Sequence, residues 1–335
     1  MSRGRGGDSS VPDAAAPPAT PAQRRSQRPR GCANAVSLSR MPDAIPRRAV
    51  VLLVFLTLVW GTNWPLFALA VREISVWTFR AIGVTLAGIT LLALARARGE
   101  SLAVPRQFRL TIVVASCFYL VYWNIASTYA AILIPSGQAA ILGFTMPLWS
   151  ALISWLLLGQ RFSGRMLAGL LFGAGAVLLL MVPGLRDYAQ APLGFALGVS
   201  AGLGWAIGTL ILKQRQVAVP AIVLTGWQLL ITALPITLGA VALGDGHWFV
   251  PSWQTIVVVG YIALVPMALG NAAWFAIVGM LPVNVAGLSS IMVPMVAMVA
   301  GALVHGEPLG PMQWAAMACC GVSLALVLLR PGSAK

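Results

Sequence analysis

The chain is short of charge, and of acid above all. Only 9% of its 335 residues are Asp, Glu, Lys or Arg, and its eight acids (Asp8, Asp13, Asp43, Glu73, Glu100, Asp187, Asp245 and Glu307) fall in the N-terminal stretch or beside loops. None stands well inside an apolar run, so there is no aspartate pair for an intramembrane protease and no mid-membrane carboxylate relay for protons. The two histidines, His247 and His305, are isolated, and the four cysteines (Cys32, Cys117, Cys319 and Cys320) have no metal-ligand spacing. No metal or cofactor is expected. A phosphate-binding loop and a Ser-His arrangement are also missing, so no catalytic residue is nominated and the chain is not expected to be an enzyme.

What fills the space is apolar. Hydrophobic residues make up 59% of the chain, and the mean hydropathy is +0.87, outside the range of a soluble domain. The net charge of +14 would suggest nucleic acid in a soluble protein, but no aqueous domain remains to bind it. Residues 1–48 form a separate piece: Met1 to Arg40 carry seven arginines among Pro, Ser, Gly and Ala, a composition that cannot bury enough surface to fold. Arg24-Arg25 has no apolar stretch and cleavage site behind it, so a secretory signal is not expected. Met41, just before the first apolar run, reads as a natural start of translation.

From Ala49 onward the sequence divides into ten apolar runs, each close to the roughly 20 residues that cross a bilayer as a helix. They are Ala49–Val71, Val76–Ala95, Leu110–Tyr129, Ser136–Leu158, Met166–Val182, Leu193–Leu212, Ala221–Leu243, Trp253–Phe275, Asn284–Val304 and Met312–Leu329. With both termini in the cytoplasm, 19 of the 22 basic residues lie in the tail, the even-numbered loops or the C-terminus, as the positive-inside rule asks. Only Arg72 and Arg186 fall outside, and Arg80 falls within the second span. The expected fold is therefore all-α and integral to the inner membrane, multi-pass, with ten transmembrane helices.

The sequence also repeats. A shift of 147 places Asn124 on Asn271, Pro135 on Pro282, Ala139 on Ala286, Pro147 on Pro294, Gly159 on Gly306 and Ala168 on Ala315, and a shift of 145 places Trp60 on Trp205. The hydropathy profile repeats with them, giving five-span halves at 49–183 and 192–330. Five is odd, so the halves enter the membrane in opposite senses, the inverted repeat of secondary transporters, with a site near the midplane. A lipid-processing enzyme would need ionisable groups at one membrane face, and Arg72-Glu73 with Asp187 or Asp245 is too sparse. A scaffold without transport has no need of an inverted repeat.

Several motifs resemble those of the drug/metabolite transporter superfamily, EamA-like group. They are Val59-Trp60-Gly61-Thr62-Asn63-Trp64, Phe79-Arg80, Thr145-Met146-Pro147-Leu148 followed by Leu156-Leu157-Leu158-Gly159-Gln160-Arg161, and their echo Val293-Pro294-Met295 followed by His305-Gly306-Glu307-Pro308. The chain departs from the family pattern at Gln160, where Glu follows the Gly. The resemblance implies two five-helix repeats, alternating access, and export or exchange of small metabolites, frequently amino acids. The expected partners are a small-molecule substrate and the lipid bilayer, not nucleic acid, with a homodimer left open.

Polar and aromatic residues inside the spans nominate the site, because they are expensive to turn toward lipid. Substrate contact is expected from Asn63, Trp64, Tyr119, Trp123, Asn124, Asn271 and Trp274, with the paired Asn124 and Asn271 foremost. Tyr119, Tyr122 or Trp123, and Ser127 should share one helix face. Aromatic rings beside amides suit an amphipathic zwitterion. Pro65, which removes a backbone donor, and the matched Pro147 and Pro294 are expected to kink their helices for gating. Arg80 and Glu307 are nominated for charge pairing, Arg80 either snorkelling or facing inward to a substrate carboxylate or Glu73. Gly137, Gly143, Gly169, Gly173 and Gly175 read as packing positions.

Overall fold

The structure is a computed structural model that describes residues 46–134, 136–243, 251–305 and 309–328. The N-terminal stretch up to residue 45, with Met41 and Cys32, lies outside the described residues, as do Glu307 and Gly306. Everything described is helical or loop. Helix α1 spans Arg47–Ala70, α2 Val76–Ala97 and α3 Arg106–Leu133. Next come α4, Ser136–Gly143, α5, Met146–Leu156, α6, Gly164–Met181, and the short α7, Leu185–Gln190. The second half holds α8, Pro192–Gln214, α9, Ala221–Leu243, α10, Trp253–Met280, α11, Val283–Ser289, α12, Met292–His305, and α13, Pro311–Leu328.

Among the described residues, seven helical stretches are long and apolar enough to cross a membrane, and two shorter apolar helices cover 285–300 and 311–327. The outward surface is what lipid would meet. Large apolar side chains stand exposed all along it, including Leu157 at 78%, Val241 at 81% and Leu303 at 82%, where a water-soluble monomer would present charge.

Local signals set the helix starts. Ser75, Ser163 and Ser252 cap α2, α6 and α10 by accepting from the N–H three residues on, which satisfies one of the orphan donors at each helix start. At the other end of α8, Lys213 donates to the carbonyls of Val278 at 2.6 Å and Leu281 at 3.2 Å, tying α8 to the last turn of α10 as a basic C-terminal cap does. Glycines let helices approach where a Cβ would collide. Gly88 of α2 and Gly226 of α9 face each other, each lying against the other's backbone and a leucine. Gly169 and Gly173 serve the expected packing role, Gly169 against Val327 and Gly173 against Ile291, whereas Gly175 meets nothing within 4 Å.

Two features differ from the sequence reading. The expected fourth and ninth spans each run as one apolar stretch, 138–156 and 285–300, interrupted by a two-residue turn at 144–145 and 290–291, with Pro147 in the first turn of α5 and Pro294 in the first turn of α12. A proline is welcome there, since its missing N–H is an orphan in any case. Thr145 and Ser290 close the breaks by donating their hydroxyls to the carbonyls three residues earlier, Leu142 at 2.6 Å and Gly287 at 2.7 Å. Around Pro65, by contrast, α1 runs unbroken. The second feature is a π-helical stretch in each of α3 and α10, Cys117–Tyr122 and Ala263–Gly270. Such stretches add a residue to a turn and are frequent at functional sites.

Candidate functional site

The π-helical stretches decide where the two asparagines point. Asn124 lies just beyond the first and Asn271 just beyond the second, and each donates its amide nitrogen to the carbonyl four residues earlier, Leu120 at 2.7 Å and Met267 at 2.8 Å. Asn124 is 2% exposed, and its Oδ1 is buried with no partner among the described residues. The Oδ1 of Asn271 instead accepts the hydroxyl of Tyr119.

Both asparagines line one cavity of about 100 Å³. Its walls come from α1 (Trp60, Asn63), α2 (Phe79, Arg80, Val84), α3 (Leu120, Trp123, Asn124), the α4–α5 break (Phe144, Met146), α8 (Trp205), α9 (Leu229) and α10 (Ile262, Pro266, Met267, Asn271). Polar groups are few and convergent in an otherwise apolar lining, the usual make-up of a small-molecule site. The Oδ1 of Asn63 is also buried without a partner among the described residues. Thr62, next to it, donates to its own helix at Leu58, 2.8 Å away, and so serves α1 rather than the cavity.

Arg80 faces inward. Its Nη2 reaches Ser127 Oγ on α3 at 3.5 Å, at the long limit for a hydrogen bond, and a guanidinium stays cationic in any protein setting. Glu73 is engaged elsewhere, its carboxylate accepting the N–H of Ser252 at 2.8 Å and its hydroxyl at 2.9 Å. Those two bonds, the backbone one foremost, hold the Glu73 carboxyl below the ordinary carboxylate range.

An aromatic cluster forms one side of the cavity, with Trp205 at its centre. Tyr119 lies 4.3 Å from Trp205 between ring centroids, Trp123 4.8 Å, Trp60 5.5 Å and Trp274 6.2 Å, all edge to face, the geometry that ring quadrupoles favour. Trp60 also donates Nε1 to the Pro266 carbonyl at 3.1 Å. Two glycines make room for these rings. A Cβ on Gly270 would stand 2.5 Å from Trp60 Nε1, and one on Gly143 would stand 2.6 Å from the Trp123 ring.

Of the residues nominated from sequence, Asn63, Arg80, Trp123, Asn124 and Asn271 thus meet around one cavity. Tyr119 and Trp274 do not line it. They are buried behind its wall at 0% and 1% exposure. Of the expected face of Tyr119, Tyr122 or Trp123, and Ser127, it is Trp123 that lines the cavity, whereas Tyr122 is 38% exposed and donates to Ser200 at 2.9 Å. Trp64 and Pro65 lie on α1, with side chains outside those described, and Glu307 lies outside altogether. Trp205 was not nominated; the 145-residue shift from Trp60 was the signal that marked it.

A family model for EamA-like transporters matches twice, over residues 47–182 and 192–329. The chain belongs to the EamA-like transporter family. Helices α1 to α6 fall in the first match and α8 to α13 in the second, so this family member builds its cavity from both. It is 27% identical to the uncharacterized transporter YvbV of Bacillus subtilis over 60% of this chain and 63% of that protein. It is 24% identical to a probable amino-acid metabolite efflux pump of Escherichia coli over 60% of this chain and 66% of that one. The chain thus spans somewhat under two thirds of the length of these two relatives. An uncharacterized protein of Pseudomonas aeruginosa is 29% identical over 86% of the chain and 96% of its own length. A crystal structure 22% identical in sequence superposes with a TM-score of 0.71 over 84% of this chain and 97% of its own, which establishes the shared fold. The chain is a multi-pass membrane protein of a transporter family.

Proposed function

We propose that this transporter is a secondary carrier that exports or exchanges small amphipathic metabolites, amino acids first among them, by alternating access. In this reading ten helices form two inverted five-helix repeats in the inner membrane, with both termini cytoplasmic, and rocking of one repeat against the other opens the cavity to each side in turn. The two broken helix pairs, α4–α5 and α11–α12, are the places where the repeats would flex.

One observation carries the reading. The cavity is lined by a cation, by two asparagines whose amide oxygens are buried without a partner among the described residues, and by a wall of indole rings, all inside a lipid-facing helical body, where unsatisfied polar atoms are costly unless something occupies them. Support for amino acids comes also from the named function of the Escherichia coli relative. The deciding experiment is efflux from proteoliposomes loaded with labelled amino acids and related metabolites, with and without a pH gradient. Selective efflux is expected; no efflux of any compound overturns the proposal. Acceleration by the gradient would make the carrier proton-linked, and indifference to it a facilitator or exchanger.

A further inference from the structure

Resting on the carrier reading, the geometry points to a substrate held by two poles that both belong to the first half of the chain: its carboxylate at Arg80 and its ammonium at the amide oxygen of Asn124. Asn271, although it lines the same cavity, takes no part in holding the head group. The substrate class that fits is an α-amino acid with an apolar or aromatic side chain.

The ammonium pole follows from how Asn124 is tethered. Its nitrogen gives one N–H to the Leu120 carbonyl, while its oxygen is buried and unpartnered among the described residues. A bare acceptor at a cavity wall calls for a donor, and an ammonium has three donors and no acceptor. Asn63 presents a second buried oxygen to the same space. Asn271 differs in that its oxygen already accepts from Tyr119 while its nitrogen donates to Met267.

The carboxylate pole is fixed by register. Arg80 reaches α3 at Ser127, three residues beyond Asn124 on a stretch of regular α-helix. Three residues correspond to about 4.5 Å of backbone rise, a little less than one turn, so the Arg80 contact and Asn124 belong to neighbouring positions along α3. Neighbouring poles suit groups carried on one carbon atom, as in an α-amino acid. A guanidinium is the residue type matched to a carboxylate, and the side chain of the substrate would face Trp60, Trp123 and Trp205.

The test uses the full chain in proteoliposomes, with labelled L-phenylalanine as the transported probe and unlabelled analogues as competitors. Phenylalaninamide lacks the carboxylate and 3-phenylpropionate lacks the ammonium. In the wild type both should compete at least roughly tenfold less well than phenylalanine, the effect of losing one charged hydrogen bond. Arg80→Gln should abolish the preference over phenylalaninamide while retaining that over 3-phenylpropionate, and Asn124→Leu should do the reverse. A residue that only shapes the fold would lower transport without switching which analogue is rejected. Asn271→Leu should leave both preferences in place. Phenylalanine transport with equal competition from both analogues overturns the two-pole assignment and leaves the carrier reading standing. No transport of phenylalanine or of any other labelled amino acid overturns both. If a variant does not fold, the wild-type analogue series decides alone.

Discussion

Helices α3 and α10 carry the same local device and put it to different uses. Each widens into a π-helical stretch, and each follows it with an asparagine that caps a carbonyl of its own helix. In α3 the amide oxygen is left buried without a partner among the described residues. In α10 the equivalent oxygen is taken by Tyr119, so the second asparagine joins the two family-matched halves instead of facing a ligand. The residue in the repeat position of Tyr119 is Pro266, whose carbonyl accepts from Trp60. This difference between the two helices, Tyr against Pro, accompanies an asparagine oxygen that is engaged in α10 and one that is unpartnered among the described residues in α3.

The comparison can be broken most severely at Asn271. Asn271→Ala strips a partner from the fully buried Tyr119 hydroxyl and from the Met267 carbonyl, and with ~1–3 kcal/mol for each buried group left unsatisfied, it should lower thermal stability in detergent markedly. Asn124→Ala should do the opposite, raising the KM for transported amino acid roughly tenfold while moving the melting temperature far less. Tyr119→Phe sharpens the contrast by making the helices alike: it frees the Asn271 oxygen, and the protein should lose ~1–3 kcal/mol of stability, read by thermal melting, with the wild-type preference among analogues intact. Gly143→Ala is expected to act on the cavity alone, pushing Trp123 inward and reducing transport of bulky amino acids more than small ones.

The smallest effect belongs to Glu73. Because its folded-state carboxyl titrates below the ordinary value, its contribution to stability is present above the unfolded pKa and is lost as pH falls through the lower, folded one. Wild-type protein should show a shallow loss of melting temperature at acid pH that Glu73→Gln lacks. Equal slopes in the two proteins would show that the Ser252 contact does not hold α10 to the α1–α2 turn.

Apolar runs and their order were legible in the sequence because lipid imposes them on composition, and Asn124 and Asn271 were legible because a polar amide inside such a run stands out. The roles of those two residues were not. They depend on π-helical stretches, which leave no periodicity to read, since the extra residue in a turn is set by packing against α8 and its neighbours. Tyr119, behind the wall, and Tyr122, turned outward, both lie within the first of these stretches. Pro147 and Pro294 stand just after short turns, and the Thr145 and Ser290 hydroxyls that bond the preceding carbonyls there leave no periodicity to read. Trp205 was marked only by its 145-residue spacing from Trp60, and its central place among the rings shows only in space.

The edge-on indole cluster around Trp205 has a spectroscopic consequence. Aromatic rings held 4.3 to 6.2 Å apart in fixed mutual orientation couple their electronic transitions, so they should dominate the near-ultraviolet circular dichroism of a chain with twelve tryptophans. A solute entering the cavity would disturb that coupling directly. The native protein therefore carries its own optical sensor of occupancy.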